Sequence, residues 1–239
     1  MLPLGLFTSL IGQAKVCPRL YMKIIVGIVS RGNDINYKLA RFISELSKDR
    51  TKDFTFLIQD SPYSAQEGQE KLFKQLENIE FDYAFITDTD VAVELEALDK
   101  MIEVKKDVVI GPVWHYDIST RDIHLNIHYS GGEQLGIDSR VYFPKSKGVD
   151  KIISSSFGCM LIAKRVFDIF KEKGLPYTRD GSDKLSDNIL FRRFKDLRIE
   201  CWVRWDIKTE HFKVVGLSTD VIDRLLQKGI IDKYTRSQE

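Results

Sequence analysis

The strongest chemical signal in this sequence is Asp88–Thr89–Asp90, which directly follows the apolar run Tyr83 to Thr87. Two carboxylates on a turn at a strand end suit a Mg²⁺ or Mn²⁺ ion that also binds phosphate oxygens, because both ions are hard cations that favour oxygen ligands. One aspartate would take the metal, and the other a ribose or a metal-bound water. A simpler reading also fits: Asp90 caps a following helix and Asp88 is a solvated turn residue.

Further chemistry-bearing residues lie later in the chain: Phe157–Gly158–Cys159–Met160, Ser186–Asp187–Asn188 and Thr209–Glu210–His211. Asp187 is placed to start a helix, where a carboxylate is also favoured by the dipole alone. His211 alone fits a surface or hydrogen-bonded histidine as well as a ligand. Trp114–His115–Tyr116 offers aromatic faces to the C–H groups of a sugar or acceptor, whereas Trp202 and Trp205 read as packing residues. His124 and His128 are four apart, but no Glu follows His124 as H-E-x-x-H zinc chemistry needs. Alternation with Ile123, Leu125 and Ile127 makes them the polar face of a strand.

These residues need a scaffold. Lys23 to Val29 is an unbroken apolar run suited to a strand buried on both faces, and Ser30 to Asp34 follows as a loop. Ile35, Leu39, Phe42, Ile43 and Leu46 have helical spacing. A strand over Phe54 to Ile58 ends at Gln59–Asp60, a helix covers Gln66 to Leu76, and a strand follows over Tyr83 to Thr87. Val93 to Val104 reads as a helix, Asp107 to Val113 as a fourth buried strand, and Ile152 to Ile162 as a strand interrupted at Gly158. Helices over Lys164 to Lys171 and Asp187 to Phe194 flank a polar loop, 178–184. A strand from Glu200 to Trp205 precedes a last helix that Ser218 caps. The alternation predicts an α/β domain with a largely parallel sheet, which binds ligands at the carboxyl ends of its strands. Ser30, Asp60, Asp88 and Trp114 are expected at those ends.

Composition narrows the class. The 239 residues suit one sizeable domain, and 36 basic against 35 acidic residues leave a net charge of +1. Such a balance gives no global field to hold a nucleic-acid backbone, and no basic run supplies a local one. Three dispersed cysteines, Cys17, Cys159 and Cys201, fit free thiols in a reducing cytoplasmic setting. The apolar stretch 1–12 is too short to span a bilayer and lacks the basic start of a signal peptide. Residues 1–21 are therefore expected to be a loosely attached leader, or to lie upstream of the true start, ahead of the core domain of 22–213, with a C-terminal helix and tail over 214–239. Peripheral contact of that leader with a membrane surface is the alternative.

In order and spacing, these segments from about Met22 to His211 resemble glycosyltransferases of the GT-A fold, and are similar to the family-two-like inverting enzymes. The resemblance implies a Rossmann-like nucleotide-binding half joined to a mixed acceptor half. It implies a UDP-sugar or GDP-sugar donor, a Mn²⁺ or Mg²⁺ cofactor, and a glycan, lipid or protein acceptor. Ser30 and Asp60 would contact the nucleoside, and Asp88 the ribose side and the metal shell. Asp90 would hold the metal, with His211 completing its shell. Gly158, Trp114 and Asn188 would line the substrate site, and Asp187 would take the proton from the acceptor hydroxyl. Two departures stand out. The usual Ser-Glu-Asp is Ser186–Asp187–Asn188, which leaves an amide where the base normally sits, so inverting and retaining chemistry both stay open. Gln69 replaces a basic residue expected in the second helix. Nucleotidyl transfer is a competing enzyme reading, although the loop after the first strand is poor in glycine. A catalytically degenerate sugar-nucleotide or glycan-binding module is the non-enzymatic one.

Overall fold

The computed structural model describes residues 21–30, 35–61, 64–117, 122–128, 140–141, 147–180 and 186–212. The expected leader up to residue 20, the end of the first loop (31–34), part of the 178–184 loop and the C-terminal helix lie outside these residues.

The first strand, β1 (Met22–Ser30), is buried from Ile24 to Ser30. Its side chains alternate between two separate cores: Ile25 and Val29 join one, while Ile24, Val26 and Ile28 join the other. A strand that feeds a core on each face has no solvent side, which is why its sequence is continuously apolar. Helix α1 (Tyr37–Leu46) covers the second core with Leu39, Phe42 and Leu46. Asn36 caps it by accepting from Lys38 N at 2.8 Å. Helix α2 (Ala65–Leu76) covers the first core with Leu72, Phe73 and Leu76, and Ser64 caps it by accepting from Glu67 N. Two glycines allow the close approach of α2. A Cβ on Gly27 would lie 2.9 Å from Leu72 Cδ2, and one on Gly68 would lie 2.8 Å from Ser61 Cβ.

Strand β1 lies between β2 (Lys52–Asp60) and β3 (Tyr83–Asp88), parallel to both. Beyond β3 the sheet becomes mixed. Strand β10 (Met160–Ala163) runs antiparallel between β3 and β5 (Val108–Ile110). Strand β11 (Cys201–Arg204) is parallel to β5, and β9 (Val149–Ile152) closes the edge antiparallel to β11. The order is β2-β1-β3-β10-β5-β11-β9. The expected architecture holds: an α/β fold with a Rossmann-like parallel half and a mixed half. Among the described residues two smaller sheets accompany it, one pairing β4 (Val91–Val93) with β12 (Thr209–His211), and one ordered β6-β7-β8 from Trp114–Asp117, Asp122–His128 and Arg140–Val141. Helix α3 (Ala97–Glu103) packs Ala97, Leu98 and Met101 against the second core. Helices α4 (Lys164–Lys173) and α5 (Ser186–Asp196) contribute Val166, Phe167, Phe170, Leu190, Phe191 and Phe194 to the first.

Four expectations need correction. The helix expected from Val93 starts only at Ala97, because Val91–Ala92–Val93 is a buried strand that pairs with β12. The strand expected over Asp107 to Val113 stops at Ile110. Gly111–Pro112 ends it, since proline has no N–H for the ladder, and Gly111 N instead donates to Cys159 O at 3.0 Å. Trp114 therefore opens β6 rather than ending the fourth strand. Finally, Ile152 to Ile162 is two strands, β9 at the sheet edge and β10 in its centre, joined by a crossover through Ser154–Gly158. The histidine pair falls on strand β7, as the alternation predicts, and Leu125 and Ile127 between them are buried. Cys159 and Cys201 are buried free thiols. Burial pushes Cys159 up to about 12 and raises Cys201 as well, which makes both poor nucleophiles.

Gly68→Ala weighs two effects against each other. Helix propensity favours alanine by roughly 0.5–1 kcal/mol, but the added methyl must displace Ser61 Cβ and Val29 Cγ1, an overpacking cost of about 1–3 kcal/mol. The expected outcome is net destabilisation, read as a lower urea midpoint; a midpoint above wild type would contradict the close packing of α2 on β1.

Candidate active site

Strand ends from the parallel half meet at one edge. In register, Ser30 lies opposite Asp60 on β2, and Val29 lies opposite Asp88 on β3. Backbone bonds tie the edge together: Ser61 N donates to Ser30 O at 2.8 Å, Thr89 N to Val29 O at 3.3 Å, and Asn36 N to Thr89 O at 3.2 Å. The Asp88–Thr89–Asp90 turn is thus held against β1 and against the start of α1. Ser30 is 3% exposed, Asp88 and Asp90 are half-buried, and Asp60 is exposed.

Asp90 does not cap a helix, because β4 begins one residue later. The β4–β12 ladder pairs Val91 with His211, and Phe212 N donates to Asp90 O at 2.7 Å. This ladder is what brings His211 across the sequence to Asp90, and the gap between Nε2 and Asp90 Oδ2 is 3.3 Å. The other ring nitrogen, Nδ1, lies 2.5 Å from the Trp114 carbonyl oxygen. A carbonyl only accepts, so Nδ1 carries a proton and donates. Nε2 faces the Asp90 carboxylate, which only accepts, so a proton or a metal ion between the two would complete the contact. Two ligands at right angles on an ion with bonds of about 2.1 Å stand about 3 Å apart, so the Asp90–His211 separation suits neighbouring positions in one coordination shell.

Among the described residues no group of three or more His, Cys, Asp or Glu side chains gathers as a metal cage. Asp90 and His211 alone would leave most positions of an ion to water and phosphate oxygens, the usual habit of Mg²⁺. Nearby, Lys38 at the start of α1 pairs with Glu210 at 2.5 Å and lies over the Phe212 ring. The Glu210 contact raises the Lys38 pKa. Lys38 carries no sequence signal beyond being charged, whereas Glu210 belongs to the Thr209–Glu210–His211 segment singled out in the sequence.

Gly158 sits against this turn. Thr87 Oγ1 donates to Gly158 O at 2.9 Å, and a Cβ on Gly158 would lie 2.9 Å from Val91 Cγ2. The glycine makes room for the strand that carries Asp90. Trp114, 37% exposed, enters the site through its carbonyl; its ring remains available to solvent. Asp187 is in the first turn of α5, where its Oδ1 accepts from Asn188 N at 2.8 Å, and Asn188 is exposed. Helix α5 leads through the turn at Leu197–Arg198 into β11, whose first residue pairs with the first residue of parallel β5. Its carboxyl end therefore joins the sheet beside the amino ends of β11 and β5, and Asp187 lies at the opposite end of the helix. Asp90, His211 and Trp114 are in direct contact, and Ser30, Asp60 and Asp88 share the strand-end edge. Asp187 and Asn188 come from a separate element.

No protein-family profile matches the sequence, and no curated protein matches it. Among solved structures, one described as GalNAc-T7 with UDP, GalNAc and Mn²⁺ is similar over 88% of this chain, at 8% identity and a TM-score of 0.45. The chain spans about half of that one, 48%. The inositol-1-phosphate CTP transferase from T. maritima is similar over 86% of this chain and 76% of its own, at 12% identity and a TM-score of 0.42.

Proposed function

We propose that this protein is a nucleotide-sugar-dependent glycosyltransferase in which Asp90 and His211 hold a divalent metal. The observation that carries the reading is the His211 ring, with Nδ1 committed to a carbonyl and Nε2 turned toward Asp90 at the edge where Ser30, Asp60 and Asp88 converge. A bound Mn²⁺ or Mg²⁺ would neutralise charge on the diphosphate leaving group. The rest is the work of the chain. Ser30 and Asp60 contact the nucleoside of a UDP-sugar or GDP-sugar, and Asp88 the ribose side. Gly158 keeps the turn close, and the Trp114 ring offers a face to sugar C–H groups. Asp187 accepts the proton of the acceptor hydroxyl on a glycan, lipid or protein, with Asn188 beside it as an uncharged contact.

No helix among the described residues is long and apolar enough to cross a membrane. The acceptor is proposed to reach the site from solvent or from a membrane surface that the protein touches only peripherally.

The first test is a thermal-shift screen of nucleoside diphosphates and their sugars with Mn²⁺. A ligand selective for the folded state raises the melting temperature by mass action, and excess chelator should cancel the shift. Turnover assays then separate the chemistries: glycosyl transfer releases a nucleoside diphosphate, whereas nucleotidyl transfer from a nucleoside triphosphate releases pyrophosphate. Binding with no turnover would identify a non-catalytic module instead.

Asp90→Ala should lower turnover by at least about 10²-fold, the scale of losing one electrostatic stabiliser. His211→Ala should weaken Mn²⁺ binding in calorimetry while nucleoside-diphosphate binding without metal stays as in wild type. Full activity of Asp90→Ala in the presence of chelator would end the metal reading. Asp187→Asn should abolish transfer and leave donor affinity near wild type; undiminished transfer would remove Asp187 as the base. Gly158→Val should displace Val91 and lower turnover more than it lowers the melting temperature.

A further inference from the structure

The segment between α4 and α5 passes through Tyr177 and Thr178, and both are buried outside any helix or strand. Buried backbone groups there need partners, and α2 provides them through side chains. Glu70 Oε2 accepts from Tyr177 N at 2.9 Å, from Thr178 N at 2.7 Å and stands 3.0 Å from Thr178 Oγ1. One turn earlier on the same helix face, Gln66 Nε2 donates to Thr178 O, and Thr178 Oγ1 lies 3.1 Å from Gln66 O. The Tyr177 ring stacks on Phe170 at 4.4 Å and meets Phe73 of α2 at 5.0 Å. Two residues further on, Asp180 pairs with Arg192 of α5.

The chain here is a strap with one end on α2 and the other on α5. Through Gly68, α2 rests directly on Ser61 and Val29, beside the edge that carries Ser30 and Asp60. Helix α5 carries Asp187. Hydrogen bonds to a carboxylate are shorter and stronger than those between neutral groups, and Glu70 concentrates two backbone donors on one oxygen.

We propose that Glu70 is a positioning residue, which holds Tyr177–Thr178 on α2 and so fixes where α5 presents Asp187 relative to the carboxyl edge of β1–β3. This rests on the transferase reading for its catalytic consequence, but the strap itself is measurable without turnover.

The test uses the full chain with Glu70→Ala and Glu70→Gln. Hydrogen exchange on the ligand-free protein comes first. In Glu70→Ala the Tyr177 and Thr178 amides and the hydrogen-bonded amides of α5 from Leu190 onward should exchange at least about tenfold faster, with β1–β3 still protected. Glu70→Gln retains an acceptor oxygen and should recover most of that protection. Unchanged exchange in α5 of Glu70→Ala overturns the proposal, whether or not the wild type turns over. In the wild-type assay, Glu70→Ala should lower kcat by up to about 10²-fold, the scale of a misplaced catalytic group. Nucleoside-diphosphate affinity should stay within about twofold of wild type, and Glu70→Gln should restore most of the rate. Parallel loss of kcat, nucleotide affinity and melting temperature, without rescue by glutamine, would make Glu70 merely structural and also overturn the proposal. Accelerated exchange in α5 together with an inactive wild type would leave the strap standing and remove the transferase reading instead.

Discussion

A single constraint organises this molecule: an imidazole nitrogen and a carboxylate oxygen are held 3.3 Å apart by backbone pairing. Side chains alone would swing apart. Here the β4–β12 ladder fixes the histidine opposite the turn, and the Trp114 carbonyl fixes the ring's tautomer and orientation. The same kind of support by an outer hydrogen bond is general for histidines that bind metals. Other features serve this ladder. Gly158 leaves space for Val91, and Gly111 leaves space for Cys159 Sγ, which its Cβ would approach to 2.6 Å. The Thr209 hydroxyl donates to the Pro112 carbonyl, drawing β12 toward the segment that enters β6. A three-residue strand with little pairing energy of its own is thereby held from several sides.

Much of the scaffold was legible because it rests on strong local patterns. Lys23 to Val29 reads as a strand buried on both faces, and Ile35, Leu39, Phe42, Ile43 and Leu46 have the spacing of one helix face, as β1 and α1 bear out. The carboxylates of the Asp88–Asp90 turn were legible because they end such a strand. What failed was short or non-local. Val91–Ala92–Val93 is too short to show a strand pattern when its partner 209–211 is unknown, so β4 gives no sign of itself and its last residue, Val93, reads as the start of the following helix. Gly111–Pro112 broke a run whose apolar residues continue unchanged on both sides. The contact of His211 with Asp90 was reached through resemblance; no spacing in the sequence encodes it. Glu70 was invisible for another reason. A glutamate on an amphipathic helix reads as a solvated residue, and its partners lie more than 100 positions away. Long-range hydrogen bonds from ordinary polar residues leave no periodic trace.

The two halves of the sheet also differ in how they meet solvent and each other. In the parallel half, β1 is shielded by α1 on one face and α2 on the other, while β2 forms the edge, with Phe54 and Phe56 packed against the second core and Ile58 57% exposed. In the mixed half, the aromatic group Phe73, Phe157, Phe167, Phe170 and Tyr177 joins α2, α4, the crossover before β10 and the strap before α5. The first core therefore spans both halves, and the strand-end edge is stiffened from below by ring packing as well as from the side by the strap.

The central position of β10 has a consequence for biosynthesis. As the nascent polypeptide leaves the ribosome, β1, β2 and β3 can pair with one another and collapse around α1 and α2 early. The outer edge of β3, Tyr83 to Ile86, then waits for Met160–Ala163, and one edge of β5 waits with it. During that interval an apolar strand shows bare amides and carbonyls, the template on which another copy can add. Stalling translation anywhere between β5 and β10 would release a fragment whose ordered portion ends in an open seam, prone to self-association that the finished sheet prevents.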